Sequence, residues 1–416
     1  MTEAATPFDQ TAFERPAEAA DRIAHFSTFA PWLQIDPEAP LAMFDELRAA
    51  GPVVRSEEFG GFWILTRHED IEWAAQNPDV FLNERPLIPF RDSFGNGERA
   101  IPLELDGELH RTWRVAMRDA FSPGTVNHFT PQIRAAAIEL VEAAAAKEKV
   151  DFVQALSATL PGEAFLIDFG VPRSELKRLL EYKDWFVREG MVAATNDAEI
   201  AAANKPLRDF FSEQIDDRRT NGSMDDKDVI SHLLRATIDG KPIAQTDLVN
   251  ACFVSMMASL DTTTSALSLA WLHLAQRPDL QAAAGDESKR SALVEELIRQ
   301  QPVLTTARLV GQRVERHGVT FEPGDMVLMS WGMAGHDPEV YEAPADIRLD
   351  RPGARTLAFG VGPHRCLGMH LARRIIAIAM EEWHARIPSY RLDPDQAPFA
   401  HYSPVRGLLT LPLALG

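Results

Sequence analysis

The segment LAFGVGPHRCLGMHLARR, Leu357 to Arg374, surrounds one of only two cysteines in 416 residues with glycines, a proline and histidines. Such a sulfur can be a small buried hydrophobe, a nucleophile or a metal ligand. Apolar residues at helical spacing follow it (Leu367, Leu371, Ile375, Ile378), placing Cys366 near a helix N-terminus. Unpaired N–H groups and the macrodipole favour a thiolate there. Gly360, Gly362 and Gly368 carry no Cβ and let backbone and a flat ligand come close. A filler has no use for that pattern. A nucleophile would want an adjacent base, and His364 stands two positions away. Cys252, in an apolar stretch, reads as the buried filler.

Two further spacings could do chemistry. In ASLDTTT, Asp261 and Thr262 sit together in an otherwise apolar helix, where an acid is costly to bury without a purpose. The Thr262 hydroxyl can bond back to the carbonyl of Ala258 and bend that helix. In EELIR, Glu296 and Arg299 are spaced i,i+3, so their side chains meet.

These residues need elements to carry them. LVNACFVSMMASLDTTTSALSLAWLHLAQRP predicts one buried helix from about Asp247 to Gln276, about 45 Å long and ended by Arg277-Pro278. PLAMFDELRAAG predicts a helix stopped at Gly51. PVVRSEEFGGFWILTR predicts a hairpin about its Gly-Gly pair, and RLVGQRVERHGVTFEPGDMVLMS a second, with EPGD as its turn. VRGLLTLPLAL is a terminal strand. From Pro123 to Gln301 the pattern is helical almost throughout. Glu84 to Leu105 keeps no period, and its apolar residues mark it as a lid. The expected fold is mainly α (α+β): an N-terminal extension over 1–30, then a single large domain over 31–416.

Composition excludes several classes. Lys and Arg number 42 against 61 Asp and Glu, a net charge of −19 that repels nucleic acid. No run of about 18 apolar residues predicts a membrane span, and the acidic N-terminus lacks a signal pattern. With so few cysteines, a cytoplasmic location is expected.

Cysteine thiolate is one of the proximal ligands of haem iron, and FGVGPHRCLG resembles the haem-ligand signature of the cytochrome P-450 superfamily of monooxygenases. Phe359, Gly362, His364, Cys366 and Gly368 stand at its fixed positions. MHLARR and EEWHARIP are similar to the bacterial camphor hydroxylase branch. The resemblance covers nearly the whole chain beyond its first thirty residues. It implies a helical body with small β-sheets and a long central helix crossing over haem b. Cys366 would ligate the iron, with Phe359, Gly360 and Gly368 beside it. A-S-L-D-T resembles the family's distal acid–alcohol pair, Thr262 donating a hydrogen bond to bound dioxygen and Asp261 relaying protons. Ser259 stands where glycine is usual. Glu296 and Arg299 resemble E-x-x-R, with Arg351 completing a structural triad. His110 and Arg114 resemble H-x-x-x-R and, with Arg308 and His364, would take the haem propionates.

By the same resemblance, Arg111, Arg118, Arg365, Arg373 and Arg374 lie on the proximal side, where a basic patch would steer an acidic electron donor. The expected donor is an iron–sulfur ferredoxin with an NAD(P)H-dependent reductase. Leu87, Met257, Leu304 and Val405 are expected to line a pocket for a small apolar substrate, terpenoid or aromatic. The tyrosine that orients camphor in that branch has no counterpart in the GERA stretch. The implied reaction inserts one atom of dioxygen into a C–H bond and reduces the other to water. A peroxide-driven peroxygenase and a non-catalytic haem sensor are the alternatives, and the Asp261–Thr262 pair argues against the first of these.

Overall fold

The longest apolar stretch of the sequence becomes the longest helix, Gln245–Gln276. The computed structural model describes residues 19–24, 32–34, 39–222, 225–351, 356–402 and 404–416. In chain order the first helices are α1 (Ala19–Ala24), α2 (Ala39–Ala50), α3 (His68–Gln76), α4 (Gly107–Arg118) and α5 (Pro123–Ala145). There follow α6 (Thr159–Phe169), α7 (Leu176–Trp185), the single turn α8 (Met191–Ala193), α9 (Asp197–Asn221) and α10 (Val229–Arg235). The long helix is α11, succeeded by α12 (Pro278–Gly285), α13 (Glu287–Gln300), α14 (Trp331–Gly335) and α15 (Met369–Arg386). Side-chain oxygens set several starts: Ser122, Asn196, Asp228 and Asp286 accept backbone N–H groups ahead of α5, α9, α10 and α13. Pro278 ends α11 because the residue before a proline avoids helical dihedrals.

The largest sheet has five strands in the spatial order Val53–Ser56, Phe62–Leu65, Met326–Ser330, Thr305–Val310 and Phe81–Leu82. Its first pair is the expected hairpin, but the connection is a 3₁₀ turn, Glu58–Gly60, and not a tight Gly-Gly turn. The second expected hairpin divides. Met326–Ser330 pairs with Thr305–Val310, and a smaller hairpin, Val314–Arg316 with Val319–Phe321, is inserted between them. EPGD therefore leads from that insertion back into the main sheet. The terminal strand also divides: Gly407–Thr410 pairs with Phe399–Tyr402, and Pro412–Leu415 with Tyr390–Leu392 and Lys149–Asp151.

The stretch expected to be a loose extension contains α1, and α1 is packed. Ala20 and Ile23 are buried, and Ser56 donates to Asp21 at 2.8 Å. Two apolar positions at i,i+3 were too short a signal for periodicity to register. Residues 1–18 lie outside those described.

Apolar side chains gather into two cores. One surrounds the five-stranded sheet, α5, α13, α15 and the later half of α11, Leu267 to Ala275. The other is built from α7, α9, α10, part of the 84–105 loop and the earlier half of α11, Leu248 to Leu260. The polar run 261–265 separates the two halves of α11. No described helix is long and apolar enough to cross a membrane.

Loop 84–105 contains neither helix nor strand, yet it is folded on itself at Asp92 and fastened to helices at its middle and towards its C-terminal end. The Asp92 carboxylate accepts the N–H groups of Phe94, Gly95 and Gly97 at 2.9, 2.6 and 2.8 Å. Asn204 of α9 donates to the Ser93 carbonyl at 3.1 Å. Further on, Asn250 of α11 accepts from Ile101 N–H at 3.0 Å and donates to the Arg99 carbonyl at 2.8 Å.

Candidate functional site

Cys366 lies in a loop closed on itself, its N–H donating to the Phe359 carbonyl at 2.7 Å. Gly360 and Gly362 adopt φ of 66° and 74°, a region costly for other residues. A Cβ on Gly362 would stand 2.4 Å from the Ala75 carbonyl oxygen of α3, whereas one on Gly368 would meet nothing within 4 Å. Gly362 therefore serves the packing of α3, and Gly368 alone leaves a face open. Phe359 lies under the Arg373 guanidinium, 4.4 Å from its ring centre. Gly368 is the N-cap of α15, so Cys366 precedes the helix proper. Burial pushes the thiol up, and the Gly368 N–H, Arg114, Arg373 and Arg365 pull against it without prevailing. The helix end alone does not make the expected thiolate; a bound cation would. The side chain is nonetheless exposed. Protein crowds this sulfur on most sides and leaves it open on one.

Beside it, basic groups outnumber acids. The His110 and His364 rings stack at 3.9 Å, and Arg114 donates to the Arg365 carbonyl at 2.7 Å. Arg308 is buried, and burial lowers its guanidinium to about 10, with Asp106 opposing. His110 falls to about 4 through burial and the neighbouring His364 and Arg114 charges. Asp106, the N-cap residue of α4, is the acid the sequence reading missed. It accepts the Asn83 N–H at 2.9 Å and approaches His364 Nε2 to 3.3 Å. That nitrogen is not aligned to bond it and has no hydrogen-bond partner. Burial alone would raise Asp106, but His364 and the Asn83 N–H hold it below the usual carboxylate range.

On α11, Ala258 is exposed in the middle of a buried helix, with Met257, Ser259, Asp261 and Thr262 half-buried around it. Both hydroxyls turn back onto the helix: Thr262 donates to the Ala258 carbonyl at 2.5 Å, Ser259 to that of Met256 at 3.2 Å. α11 remains one unbroken helix. Asp261 Oδ1 accepts from Lys183 of α7 at 2.9 Å, and Lys183 also meets Asp184 at 2.6 Å. Lys183 carried no sequence signal, since only the fold brings α7 to α11.

Leu87, Met257, Leu304 and Val405 are each partly accessible. Leu304 and Val405 form an antiparallel bridge, and Ala307 N–H donates to the Pro86 carbonyl at 2.7 Å, next to Leu87. Three chain-distant segments thereby converge. Glu296 accepts from Arg299 at 2.9 and 3.1 Å and from Arg351 at 3.0 Å. Arg348 contributes only its backbone N–H to that carboxylate. Arg299 and Arg351 also hold the carbonyls of Gly335, Pro344, Ala343 and Asp346.

The proximal arginines are not equivalent. Arg373 is committed to Glu295 at 2.6 and 2.9 Å, and Arg374 donates to Asn127 at 2.8 Å. Arg111, Arg118 and Arg365 are exposed, the first two paired with Glu108 and Asp119 on their own helix end. Val115 between them is 57% exposed.

Comparison with known proteins gives four findings. A family model described as Cytochrome P450 matches residues 192–383. The chain is 29% identical over 399 residues, 93% of each sequence, to the Probable cytochrome P450 127A1 of Sinorhizobium fredii (strain NBRC 101917 / NGR234). It is 26% identical over 376 residues, 86% of each, to the Steroid C26-monooxygenase of Mycolicibacterium smegmatis (strain ATCC 700084 / mc(2)155). Among solved structures it is similar to CYP101J2, with a TM-score of 0.81 and 27% identity over 90% of this chain and 92% of that one.

Proposed function

Because the chain belongs to the cytochrome P450 superfamily, and is thus a haem-thiolate monooxygenase with dioxygen as cosubstrate, we propose that it hydroxylates a small apolar molecule with electrons from an iron–sulfur ferredoxin. The residues fit the haem. Two guanidinium groups, Arg114 and Arg308, and two imidazoles, His110 and His364, gather beside the single carboxylate of Asp106. A porphyrin's two propionates would accept hydrogen bonds from them. Cys366 would hold the iron; His110, Arg114, Arg308 and His364 would hold the carboxylates. When bound, the haem activates dioxygen, one atom entering a C–H bond and the other leaving as water.

The chain's own residues supply protons, orientation and exclusion of water. Thr262 now gives its hydroxyl proton to the Ala258 carbonyl; turning about χ1 would present that proton to the open side of α11. Asp261 Oδ1 is held by Lys183, so a proton passing through this oxygen requires its release from the ammonium, which Asp184 retains meanwhile. Loop 84–105, fastened to α9 and α11, covers the site against water. The accessible face at Ala258, within a helix otherwise buried, carries the reading. Support for an apolar substrate comes from the partly accessible Leu87, Met257, Leu304 and Val405, and from a relative whose name specifies a steroid.

Support for an acidic donor comes from exposed Arg111, Arg118 and Arg365 on a chain of net charge −19. The test is turnover of a small apolar probe by the haem protein with NAD(P)H, a ferredoxin reductase and a ferredoxin. Oxygenated product should appear in step with NAD(P)H consumed. The double variant Arg111→Glu/Arg118→Glu should raise the KM for ferredoxin about fivefold or more at low salt, the gap closing as salt rises. A KM that ignores both the charge reversal and the salt would discard this docking face.

A further inference from the structure

Ser255, Ser259 and Thr262 stand on one face of α11, since steps of four and three residues return a side chain to the same side of a helix. Neighbours at those steps lie about 5–6 Å apart at Cβ, a gap that one water spans with a hydrogen bond to each hydroxyl. All three residues are half-buried and Ala258 beside them is exposed, in a helix that is buried for most of its length. Each hydroxyl now donates to its own helix: Ser255 to the Ala251 carbonyl at 2.7 Å, Ser259 to that of Met256 at 3.2 Å and Thr262 to that of Ala258 at 2.5 Å. Their oxygens keep lone pairs for the open side. The Ser259 bond is the longest of the three, so this hydroxyl turns outward at least cost. Serine suits a helix interior less well than alanine, and where glycine is usual at this position there is no hydroxyl at all. Asp261 is turned instead to Lys183 of α7.

We propose that Ser259 anchors an ordered water beside Thr262 and so supplies that hydroxyl with protons by a route that does not pass through Asp261. This rests on the reading above, in which Thr262 presents its proton to the open side of α11, and deepens it. When Thr262 gives up that proton, its oxygen takes one from the water, and the water takes one from the Ser259 hydroxyl. Ser259 is restored from the next water along the row, towards Ser255, which solvent replenishes. One proton has then moved along the row, every hydroxyl is neutral again, and no other bond has changed. Asp261 Oδ1 has to leave the Lys183 ammonium before it can carry a proton, whereas Ser259 has only a 3.2 Å hydrogen bond to give up. Ser259 acts through the water and is a positioning residue for Thr262.

Carbon monoxide bound to the dithionite-reduced haem protein reports hydrogen-bond donors on the open side of α11 through its C–O stretch, and needs neither ferredoxin nor substrate. In Ser259→Ala the infrared band should move to higher wavenumber as a hydrogen bond to the carbon monoxide oxygen is lost; in Ser259→Thr it should stay in place. Turnover of the apolar probe gives the second readout. Ser259→Ala should lower the product formed per NAD(P)H about threefold, the worth of one neutral hydrogen bond, with hydrogen peroxide released in its stead. In an Asp261→Asn background the factor should be as large or larger, because both routes are then closed. A band that does not move in Ser259→Ala overturns the proposal. So does a double variant coupled no worse than Asp261→Asn alone, which would put the serine on the Asp261 route. If the probe is not turned over at all, the substrate and donor reading fails by itself, and the infrared band still decides whether Ser259 holds the water.

Discussion

Lys183 lies buried between two carboxylates, Asp184 and Asp261. Burial by itself would lower its pKa, but Asp261 and Asp184 more than reverse this and leave it raised. The ammonium therefore stays charged at neutral pH, and Asp261 is clamped unless something displaces it. Asp261→Asn removes the carboxylate that would carry the proton. It should lower kcat about tenfold or more and enlarge the solvent deuterium isotope effect. Lys183→Met leaves the carboxylate in place and should cost less in kcat. Steady-state rates in H2O and D2O decide this: equal losses in the two variants would mean that the pair only holds α7 against α11. The ion pair spans 78 positions, which is why the acid and alcohol were legible in ASLDTTT while their cationic partner was not. Cys366 shows the opposite limit. The signature that marks it lies within ten consecutive residues, whereas the burial around its sulfur and the opposing pull of Arg114, from another helix, are set by the fold.

Among the elements, loop 84–105 shows how an irregular segment can be well fastened. Gly95 has φ of 69°, and a Cβ there would lie 2.0 Å from the Asp197 carbonyl oxygen at the start of α9. Gly95→Ala should push the loop off α9 and cost about 2–3 kcal/mol of local stability. Limited proteolysis should cut the loop faster, and the KM for an apolar substrate should rise more than kcat falls. Unaltered proteolysis would mean that Asn250 and Asn204 suffice to hold it. The irregular course of the loop was legible in its lack of any period; its fastenings were not, since Asn250 reaches across 149 positions. α11 was legible nearly to the residue because its apolar run, its length and the Arg277-Pro278 stop are all local. The second hairpin was misread for a related reason. Turn chemistry at EPGD marks a change of direction but cannot say which strand the chain will next pair with.

In the molecule as a whole, the lid-side half also buries an acid that the chemistry does not use. Asp168 of α6 is 2% exposed, and one of its oxygens has no hydrogen-bond partner. Burial, with the Asp228 charge nearby, raises it to about 8 from 3.8. Its neutral form is the one the fold accepts. The stability it contributes is complete below about pH 4 and is lost as pH climbs towards 8. Asp168→Asn should therefore raise the thermal midpoint at pH 8, by an amount that shrinks steadily towards pH 4. A gain that does not vary with pH would show that the carboxyl is not titrating in this range.

The two apolar cores are joined by one helix, and the polar run 261–265 falls at their junction. Leu357 and Leu371, on either side of Cys366, belong to the sheet-side core, while Phe94 and Ile101 of the lid belong to the other. Local opening follows such cooperative units. Trp113 and Met117 of α4, and Leu367 beside Cys366, also pack with the lid-side core, whereas Ile88 of the loop packs with the sheet-side core. An opening of either unit therefore reaches both the loop and the surroundings of the cysteine.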